Sequence, residues 1–283
     1  MNSSSLEKAT EQVRDYWDSH TMGRQFAKDA GIEADFGTRE FFDQLHPHMY
    51  RHPWVMKLID TESKNRVGQE VLEVGCGMGF DSGEWAKRGL NVTSVDLTPE
   101  AVNAAKIHFD VMDMEGDIRV GDACKLEFEE NTFDVVWSKG VLHATPDMPK
   151  AVNEVYRVLK PGGRAIILNL YHKFSWLVFL QKASRENIEF TDEDPPINKL
   201  HSKRQIARIF RKFDDLEIEL EHYRVIRTLR PGMKAKLLNN MFLPAYNLIP
   251  EPLARPFGFK FIITGNKPCH RDNNNRNSVS IAS

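Results

Sequence analysis

The sequence predicts an α/β protein with a doubly wound, mostly parallel sheet and a helical cap. Two observations support this fold class. Short apolar runs alternate with segments of helical periodicity between residues 70 and 170, and the first run leads directly into a glycine-rich turn. Strands that alternate with helices at this spacing form parallel sheets that are covered on both faces. The chain has 283 residues, 41% of them apolar, which is enough for one such domain with added helices.

Seven strands are predicted in this sheet. The run "EVLEV" at 70–74 is a buried strand, and "NVTSVD" at 91–96 is a second one, followed by a helix with Thr98 as its N-cap. Residues 216–225 begin with alternating apolar and acidic side chains, as expected of a strand with one face in water. The other predicted strands are "DIRVGDA" (117–123), "TFDVVWS" (132–138), "RAIILNL" (164–170) and "FGFKFIITGNK" (257–267).

Helices are predicted before the sheet and between its strands. Residues 4–18 have helical periodicity, and two short helices are expected after them, with breaks near Pro47 and Pro53, because proline removes a backbone donor. Further helices are predicted around 80–88, 98–109, 146–160 and 171–183, and at 203–213 behind a capping box of Ser202 and Gln205.

These patterns divide the chain into five parts, and the central part contains the glycine-rich turn. The polar, Asn- and Ser-rich end of the chain is predicted to be disordered. The predicted parts are a helical cap or lid at 1–69, a ligand-binding core at 70–170, an insertion with a substrate cap and a later strand at 171–256, a last strand at 257–267 and a tail at 268–283.

The composition argues against several functional classes. The net charge of −2 comes from mixed charges, so no overall field attracts nucleic acid. The three cysteines are far apart in the sequence, which argues against disulfides and a thiolate zinc site. No metal is expected, because the histidines at 46–52 lack a pattern of partnering carboxylates. The first residues do not resemble a signal peptide, and the apolar run at 174–180 is too short to cross a bilayer, so a soluble, cytoplasmic protein is expected.

The glycine-rich stretch "VLEVGCGMGF" at 71–80 indicates a backbone that approaches a ligand closely. A dinucleotide motif, G-x-G-x-x-G, would require glycine at position 80, where Phe80 stands. The lysine and hydroxyl pair of a phosphate-binding loop is also absent. The stretch therefore favours a ligand without a phosphate.

Five motifs follow one another between residues 70 and 170. The segment 73–79 has the pattern E-x-G-x-G-x-G, Asp96 ends the second strand, and Asp122 follows the third. The segment "FDVVWSKGVLHAT" (133–145) contains the fourth strand and its exit loop, and "VLKPGG" (158–163) precedes the fifth strand. In this order the motifs resemble those of the class I S-adenosylmethionine-dependent methyltransferases, and most closely the small-molecule and quinone-biosynthesis group.

This resemblance implies a Rossmann-like methyltransferase fold with S-adenosyl-L-methionine as cofactor and S-adenosyl-L-homocysteine as product. In the family, the acid at the Asp96 position accepts hydrogen bonds from the ribose hydroxyls, and the acid or amide at the Asp122 position meets the adenine amino group. The cofactor carries a sulfonium, an ammonium and a carboxylate but no phosphate, which suits such a loop. The implied cofactor-binding residues are Glu73, Gly75, Cys76, Gly77, Gly79, Asp96, Leu97, Asp122, Ala123 and Ser138.

The loop after the fourth strand borders the donor methyl group in this fold, so the resemblance makes His143 the candidate general base. The alternative is that His143 orders its loop or lines the pocket without transferring a proton. The candidate substrate contacts are Tyr16, Trp17, His20 and Tyr50 in the N-terminal helices and Trp176 in the apolar segment after the fifth strand, with ordinary packing as their alternative role.

We therefore predict an enzyme that transfers a methyl group in line to a small aromatic or lipophilic metabolite. Much of the rate enhancement can come from placement, which supplies roughly 7 to 11 kcal/mol. Two alternatives stay open. The acceptor could be a quinone or lipid intermediate reached at a membrane surface by peripheral contact, or the protein could bind the cofactor as a regulator without turnover. No oligomeric state follows from these patterns.

Overall fold

A mixed sheet forms the centre of the computed structural model, which describes residues 3–20, 27–28, 30–50, 52–179, 196–221 and 238–269. Helices pack on both of its faces. The strands are β1 (Glu70–Val74), β2 (Asn91–Asp96), β3 (Asp117–Val120), β4 (Phe133–Lys139), β5 (Leu159–His172), β6 (Leu200–His201), β7 (Asp214–Glu221) and β8 (Lys260–Asn266).

The strand order is β3-β2-β1-β4-β5-β8-β7, and β6 pairs with β5 beside this path. β1 to β5 are mutually parallel, whereas β8 runs antiparallel to both β5 and β7. The chain moves outward from β1 to β3 and then returns to the other side of β1 with β4. The connections after β1 and β4 therefore lead to helices on opposite faces of the sheet. The point between β1 and β4 is the topological switch point, where open α/β sheets bind ligands.

Among the described residues, the helices follow the capping and periodicity signals closely. Thr98 accepts a hydrogen bond from the amide of Ala101, and Ser202 and Gln205 form a complete capping box. The helices are Ser3–Ser19, Arg39–Met49, Pro53–Ser63, Phe80–Lys87, Pro99–Val111, Met148–Val158, Lys203–Ile209, Leu243–Asn247 and Glu251–Ala254, with 3₁₀ turns at Leu142–Ala144 and Arg255–Phe257 and a π-helical turn at Leu238–Phe242.

The predicted fold class is confirmed, and several elements differ in detail from their predictions. The break expected near Pro47 is wrong, because the helix Arg39–Met49 contains this proline near its C-terminal end. Pro47 lacks the backbone N–H for one of the last hydrogen bonds of this helix. The break between the two helices instead lies just before Pro53, which is the first residue of the next helix. The third strand ends at Val120 instead of 123, and the two-residue β6 is an additional strand.

Some predicted segments lie partly outside the described residues. The helix predicted at 171–183 is described up to residue 179. Its predicted start is wrong, because residues 171 and 172 belong to β5 and the helix begins at residue 176. The segments 180–195 and 222–237 of the predicted insertion, and residues 270–283 of the predicted tail, are not among the described residues. The division of the chain into five parts stays a prediction.

Each face of the sheet is covered by its own apolar core. One core contains the helix Met148–Val158 and the buried side of the helix Lys203–Ile209. The other contains the N-terminal helices together with Phe80–Lys87 and Pro99–Val111. Within this second core Trp85 and Trp137 are fully buried, and their rings meet edge to face with centroids 5.4 Å apart.

A β-bulge interrupts β5 near its carboxyl end. Ala165 and Ile167 point into one core and Leu168 points into the other, as strand alternation requires. The pairing with β8 then shifts register between Leu168 and Leu170, and Leu170 joins the first core again. Asn169 is the extra residue, with a positive φ of 62°.

Candidate active site

A cavity of about 340 Å³ lies at the carboxyl ends of the parallel strands. The loops after β1, β2, β3 and β4 form one part of its wall, and the end of β5 forms another. The N-terminal helices and the residues between them close it through Val13, Trp17, His52 and Trp54. Its volume is within the range of sites for small molecules, about 300 to 1,000 Å³.

The glycine loop begins where β1 ends, and two of its glycines have different surroundings. Gly75 has φ +82°, and a side chain added to it would overlap a methyl group of Val141 in the loop after β4. Gly77 has φ +52°, and an added Cβ would meet no atom within 4 Å. Both line the cavity, so the backbone at Gly77 is open to a ligand, while Gly75 allows two loops to pack closely.

Asp96, the last residue of β2, is bonded to the glycine loop. Its Oδ2 accepts a hydrogen bond from the Gly77 amide at 2.9 Å, and its Oδ1 accepts from the Thr98 amide at 3.1 Å and hydroxyl at 3.0 Å. Each carboxylate oxygen has two lone-pair sites, so Oδ2 can accept one more hydrogen bond. Burial raises the pKa of Asp96, although these three donors oppose the shift.

Asp122 lines the next section of the cavity, after β3. Its Oδ1 accepts a hydrogen bond from the Cys124 amide at 2.8 Å, which fixes the orientation of the carboxylate. The Gly121 amide donates to the Asp96 carbonyl at 2.8 Å, which ties the loop after β3 to the end of β2. Leu97 and Ala123 line the cavity beside the two acids. This part of the wall thus offers hydrogen-bond acceptors between apolar side chains.

Two buried acids lie beneath the glycine loop. The Ser82 hydroxyl donates a short hydrogen bond to Glu73, and burial together with the charge of Asp81 holds the pKa of Glu73 well above its usual range. Asp81 accepts hydrogen bonds from the Tyr50 hydroxyl at 2.8 Å, the Trp137 indole at 2.9 Å and the Lys139 ammonium at 2.6 Å. The Asp81 carboxylate therefore joins the helix after the loop to β4 and to the N-terminal helices.

His143 lies in the 3₁₀ turn after β4 and lines the cavity. Its side chain is 4% exposed, and its ring centroid is 4.4 Å from that of Tyr171. Its Nδ1 has no hydrogen-bond partner among the described residues. Burial, with smaller effects of the Lys260 and His201 charges, lowers the pKa of His143 to about 3, so the imidazole is neutral at physiological pH.

Several predicted site residues meet at this cavity. Glu73, Gly75, Cys76, Gly77, Asp96, Leu97, Asp122, Ala123, His143 and Trp17 all line it.

Two predicted cofactor contacts lie outside the cavity wall. The Ser138 hydroxyl donates to the Val74 carbonyl at 2.9 Å, so it links β4 to β1 instead of pointing to the cavity. Gly79 is the N-cap of the helix Phe80–Lys87, where an added Cβ would lie 3.1 Å from the Cβ of Ala105. Gly79 therefore allows close packing of two helices.

Four predicted substrate contacts also lie outside the wall. The Tyr50 hydroxyl is used by Asp81, and the Tyr16 ring stacks on His20 with centroids 4.4 Å apart. Trp176 is 43% exposed and its ring centroid is 5.3 Å from that of Phe257. The N-terminal helix Ser3–Ser19 lines the cavity with Val13 and Trp17 instead.

The cavity also has polar wall residues that the sequence analysis did not propose. Lys139 ends β4, and Asn169 and Tyr171 lie near the end of β5. The rule that ligands bind beyond the carboxyl ends of parallel strands could have pointed to them. His52 and Trp54 carry no comparable signal. Within the described part of the chain, no group of three or more His, Cys, Asp or Glu side chains is arranged to hold a metal ion.

Residues 72–167 match the protein family described as "Methyltransferase domain". This segment is similar in sequence to methyltransferase domains. It extends from β1 to β5 and includes the glycine loop, Asp96, Asp122 and the His143 turn. In the described residues, no helix combines the length and apolar character that crossing a membrane requires.

Two curated relatives each match less than half of this chain. The malonyl-[acyl-carrier protein] O-methyltransferase of Erwinia billingiae is 37% identical over 125 residues, which cover 42% of this chain and 48% of that protein. The 2-methyl-6-phytyl-1,4-hydroquinone methyltransferase of Synechocystis is 42% identical over 104 residues, 35% of this chain and 31% of that protein. The chain therefore spans less than half the length of these relatives.

A solved structure resembles this chain over more than residues 72–167. Phosphoethanolamine N-methyltransferase 2 of Haemonchus contortus superposes with a TM-score of 0.60 and 20% identity, covering 90% of this chain and 60% of that one. At this identity the likeness concerns the fold.

Proposed function

We propose that the chain is an S-adenosylmethionine-dependent methyltransferase that acts on a small molecule. The observation that carries the proposal is the position of Asp96, bonded to the Gly77 amide at the switch point, in one cavity with Asp122 and His143. The family match of residues 72–167 supports it, and so do the names of the relatives.

The residues present fit this cofactor. Ribose hydroxyls and the adenine amino group are donors, and Asp96 and Asp122 offer acceptors at the ends of adjacent strands. Gly77 leaves space above the backbone, and Leu97 and Ala123 offer apolar walls. The Haemonchus structure was determined with S-adenosylhomocysteine, which supports the same assignment. When bound, the cofactor supplies a methyl group on a sulfonium, which is a good leaving group.

His143 is proposed to orient the methyl acceptor. A neutral imidazole can accept a hydrogen bond from a hydroxyl or amine, and its buried Nδ1 lacks a partner among the described residues. His143 thereby turns a lone pair of the acceptor atom toward the donor and takes up the proton that this atom loses on methylation. Because its pKa is lowered to about 3, His143 must pass this proton on to regain its neutral form.

An aromatic or lipophilic acceptor fits this cavity, because its wall contains aromatic side chains. Trp17, Trp54 and Tyr171 are among the lining residues. Flat rings bind between such side chains because they bury apolar area and stack at the same time. The hydroquinone named for the Synechocystis relative is of this kind, whereas the malonyl group named for the Erwinia relative is not.

The first prediction tests the cofactor. Asp96→Ala is expected to weaken S-adenosylmethionine binding about 50-fold, because hydrogen bonds to a charged group contribute about 1.5 to 3 kcal/mol each. Isothermal titration of the folded variant measures this change. Asp117→Ala, at the exposed start of β3 outside the cavity wall, is the matched control and should bind like the wild type.

Equal affinity of Asp96→Ala and wild type would contradict the cofactor assignment. Binding without methyl transfer to any acceptor, in a screen with labelled methyl donor, would favour a regulatory protein over an enzyme.

The second prediction concerns pH. An ordinary histidine base loses activity as the pH falls through about 6.5. Because the pKa of His143 is lowered to about 3, kcat/KM should show no acid limb from this residue between about pH 5 and 8. His143→Gln should lower kcat about 100-fold at every pH in this window without changing cofactor affinity.

His20→Gln, outside the cavity wall, is the control and should keep the wild-type profile. An acid limb near pH 6.5 that disappears in His143→Gln would show that His143 titrates normally and would overturn the assignment of a neutral imidazole.

A further inference from the structure

The bulge at Asn169 places this residue in the wall of the cavity. Without the extra residue, strand alternation would point position 169 into the same core as Ile167. The register shift between Leu168 and Leu170 instead makes Asn169 a cavity wall residue, half-buried and with φ +62°. Bulges beside binding sites commonly redirect a side chain in this way.

This conformation has an energetic cost that packing does not explain. A non-glycine residue in the left-handed region costs about 1 kcal/mol, and glycine would adopt it without strain. At Asn131, another asparagine with positive φ, the side chain accepts a hydrogen bond from Lys267. No comparable bond to the Asn169 carboxamide occurs among the described residues. Because Asn169 lines the cavity, its carboxamide donor and acceptor are available to a ligand there.

Asn169 is also structurally connected to the His143 turn. The amide of Gly140, in the loop that leads to His143, donates to the Leu168 carbonyl at 2.9 Å. Tyr171, two residues after Asn169, contacts the His143 ring. Asn169 and His143 thus both line the cavity, on two elements that are hydrogen-bonded to each other.

We propose that Asn169 binds a second polar oxygen of the methyl acceptor, adjacent to the atom that receives the methyl group. This inference rests on the proposed function and specifies its substrate class. The acceptor presents a hydroxyl to His143 and a neighbouring hydroxyl or carbonyl oxygen to the Asn169 carboxamide. The carboxamide can donate a hydrogen bond to a hydroxyl or a carbonyl oxygen, and it can accept one from a hydroxyl. Aromatic rings with two adjacent oxygens have this arrangement, and Trp17 and Tyr171 in the cavity wall offer aromatic rings for them to pack against.

The test compares two probes that differ by one hydroxyl. Protein saturated with S-adenosylhomocysteine is titrated calorimetrically with 1,2-dihydroxybenzene and with phenol. The wild type should bind 1,2-dihydroxybenzene about tenfold more tightly, because its second hydroxyl gains a hydrogen bond in the cavity. Asn169→Gly, which keeps the backbone conformation without strain, should bind both probes equally. The melting temperature should not fall, because glycine adopts a positive φ freely.

Asn65→Gly is the matched control, because Asn65 is exposed, has φ 61° and lies outside the cavity wall. It should retain the tenfold preference. Asn169→Asp, a second variant that also tolerates positive φ, should retain binding of the hydroxyl probe through its acceptor oxygens.

Retained preference in Asn169→Gly would overturn the proposal, as would equal or absent binding of both probes to the wild type. A fall in melting temperature without a change in preference would assign Asn169 a structural role instead. Failure of the proposed function is seen separately, as absence of S-adenosylhomocysteine binding in the preceding titration.

Discussion

Gly75→Ala is expected to lower the free energy of unfolding by about 3 kcal/mol, whereas Gly77→Ala should lower it by only about 1 kcal/mol. Both glycines have positive φ, so both variants incur backbone strain. Only at Gly75 does the added methyl group overlap a neighbour, the Val141 side chain, which must then move together with the His143 turn. Urea unfolding of the two variants measures the difference.

The two variants should also differ in how they affect the cofactor. The methyl group of Gly77→Ala projects into open cavity space, so it should reduce S-adenosylmethionine affinity tenfold or more, about 1.4 kcal/mol, in a protein that remains folded. Gly68→Ala is the control, because Gly68 has φ +79° and open space but lies outside the cavity wall. Gly68→Ala should lower the free energy of unfolding through backbone strain and leave S-adenosylmethionine affinity unchanged. Equal stability losses at Gly75 and Gly77, or unchanged affinity in Gly77→Ala, would contradict this account.

Asp81→Asn is expected to destabilise the protein by roughly 3 to 5 kcal/mol, because it leaves the Lys139 ammonium without its buried counter-charge. The Asp81 side chain is 3% exposed, and the ion pair has an N–O distance of 2.6 Å. Asparagine can still accept from the Tyr50 hydroxyl or the Trp137 indole through one oxygen, so charge is the main loss. The measurement is again urea unfolding.

A matched control and a double variant separate charge from shape in this experiment. Asp113→Asn breaks the ion pair between Asp113, whose side chain is 87% exposed, and Arg39, whose side chain is 52% exposed. This variant should change the free energy of unfolding very little, because exposed ion pairs contribute little to stability. Adding Lys139→Met to Asp81→Asn should recover part of the lost stability, since no unpaired charge remains buried. A loss as small as that of Asp113→Asn would show that the Asp81 network is not important for stability.

The local patterns of the sequence are sufficient to predict most of the fold. The alternation in β7 and the caps at Thr98 and Ser202 depend on neighbouring residues alone, and the structure contains all of them. The bulge at Asn169 could not be predicted, because it exists only in the pairing between β5 and β8, about 90 residues later in the chain. Pro47 was mispredicted because the helix Arg39–Met49 buries Phe41, Phe42 and Leu45 in the core, and such tertiary packing does not follow from the local pattern around a proline.

The site residues that lie at or just after the ends of strands were predictable. Asp96 ends β2 and Asp122 comes shortly after β3, and both line the cavity because parallel strands end at one edge of the sheet. Ser138 ends the predicted fourth strand and was therefore also expected at the cavity, yet its hydroxyl donates a hydrogen bond to the Val74 carbonyl of β1. This bond depends on which strand lies beside β4, so the sequence around Ser138 could not predict it. Which residues of the N-terminal helices face the cavity depends on tertiary packing, so the sequence could not separate Trp17 from Tyr16.

The positions of the tryptophans make intrinsic fluorescence an informative probe of this protein. Trp85 and Trp137 are fully buried in one core, so their emission should shift to longer wavelength only when that core opens. Trp17 and Trp54 line the cavity, so a ligand changes their surroundings while the fold remains intact. Tryptophan emission of the unlabelled chain can therefore report two processes separately. A change from Trp17 and Trp54 in the folded protein reports ligand binding in the cavity, and a shift from Trp85 and Trp137 reports global unfolding.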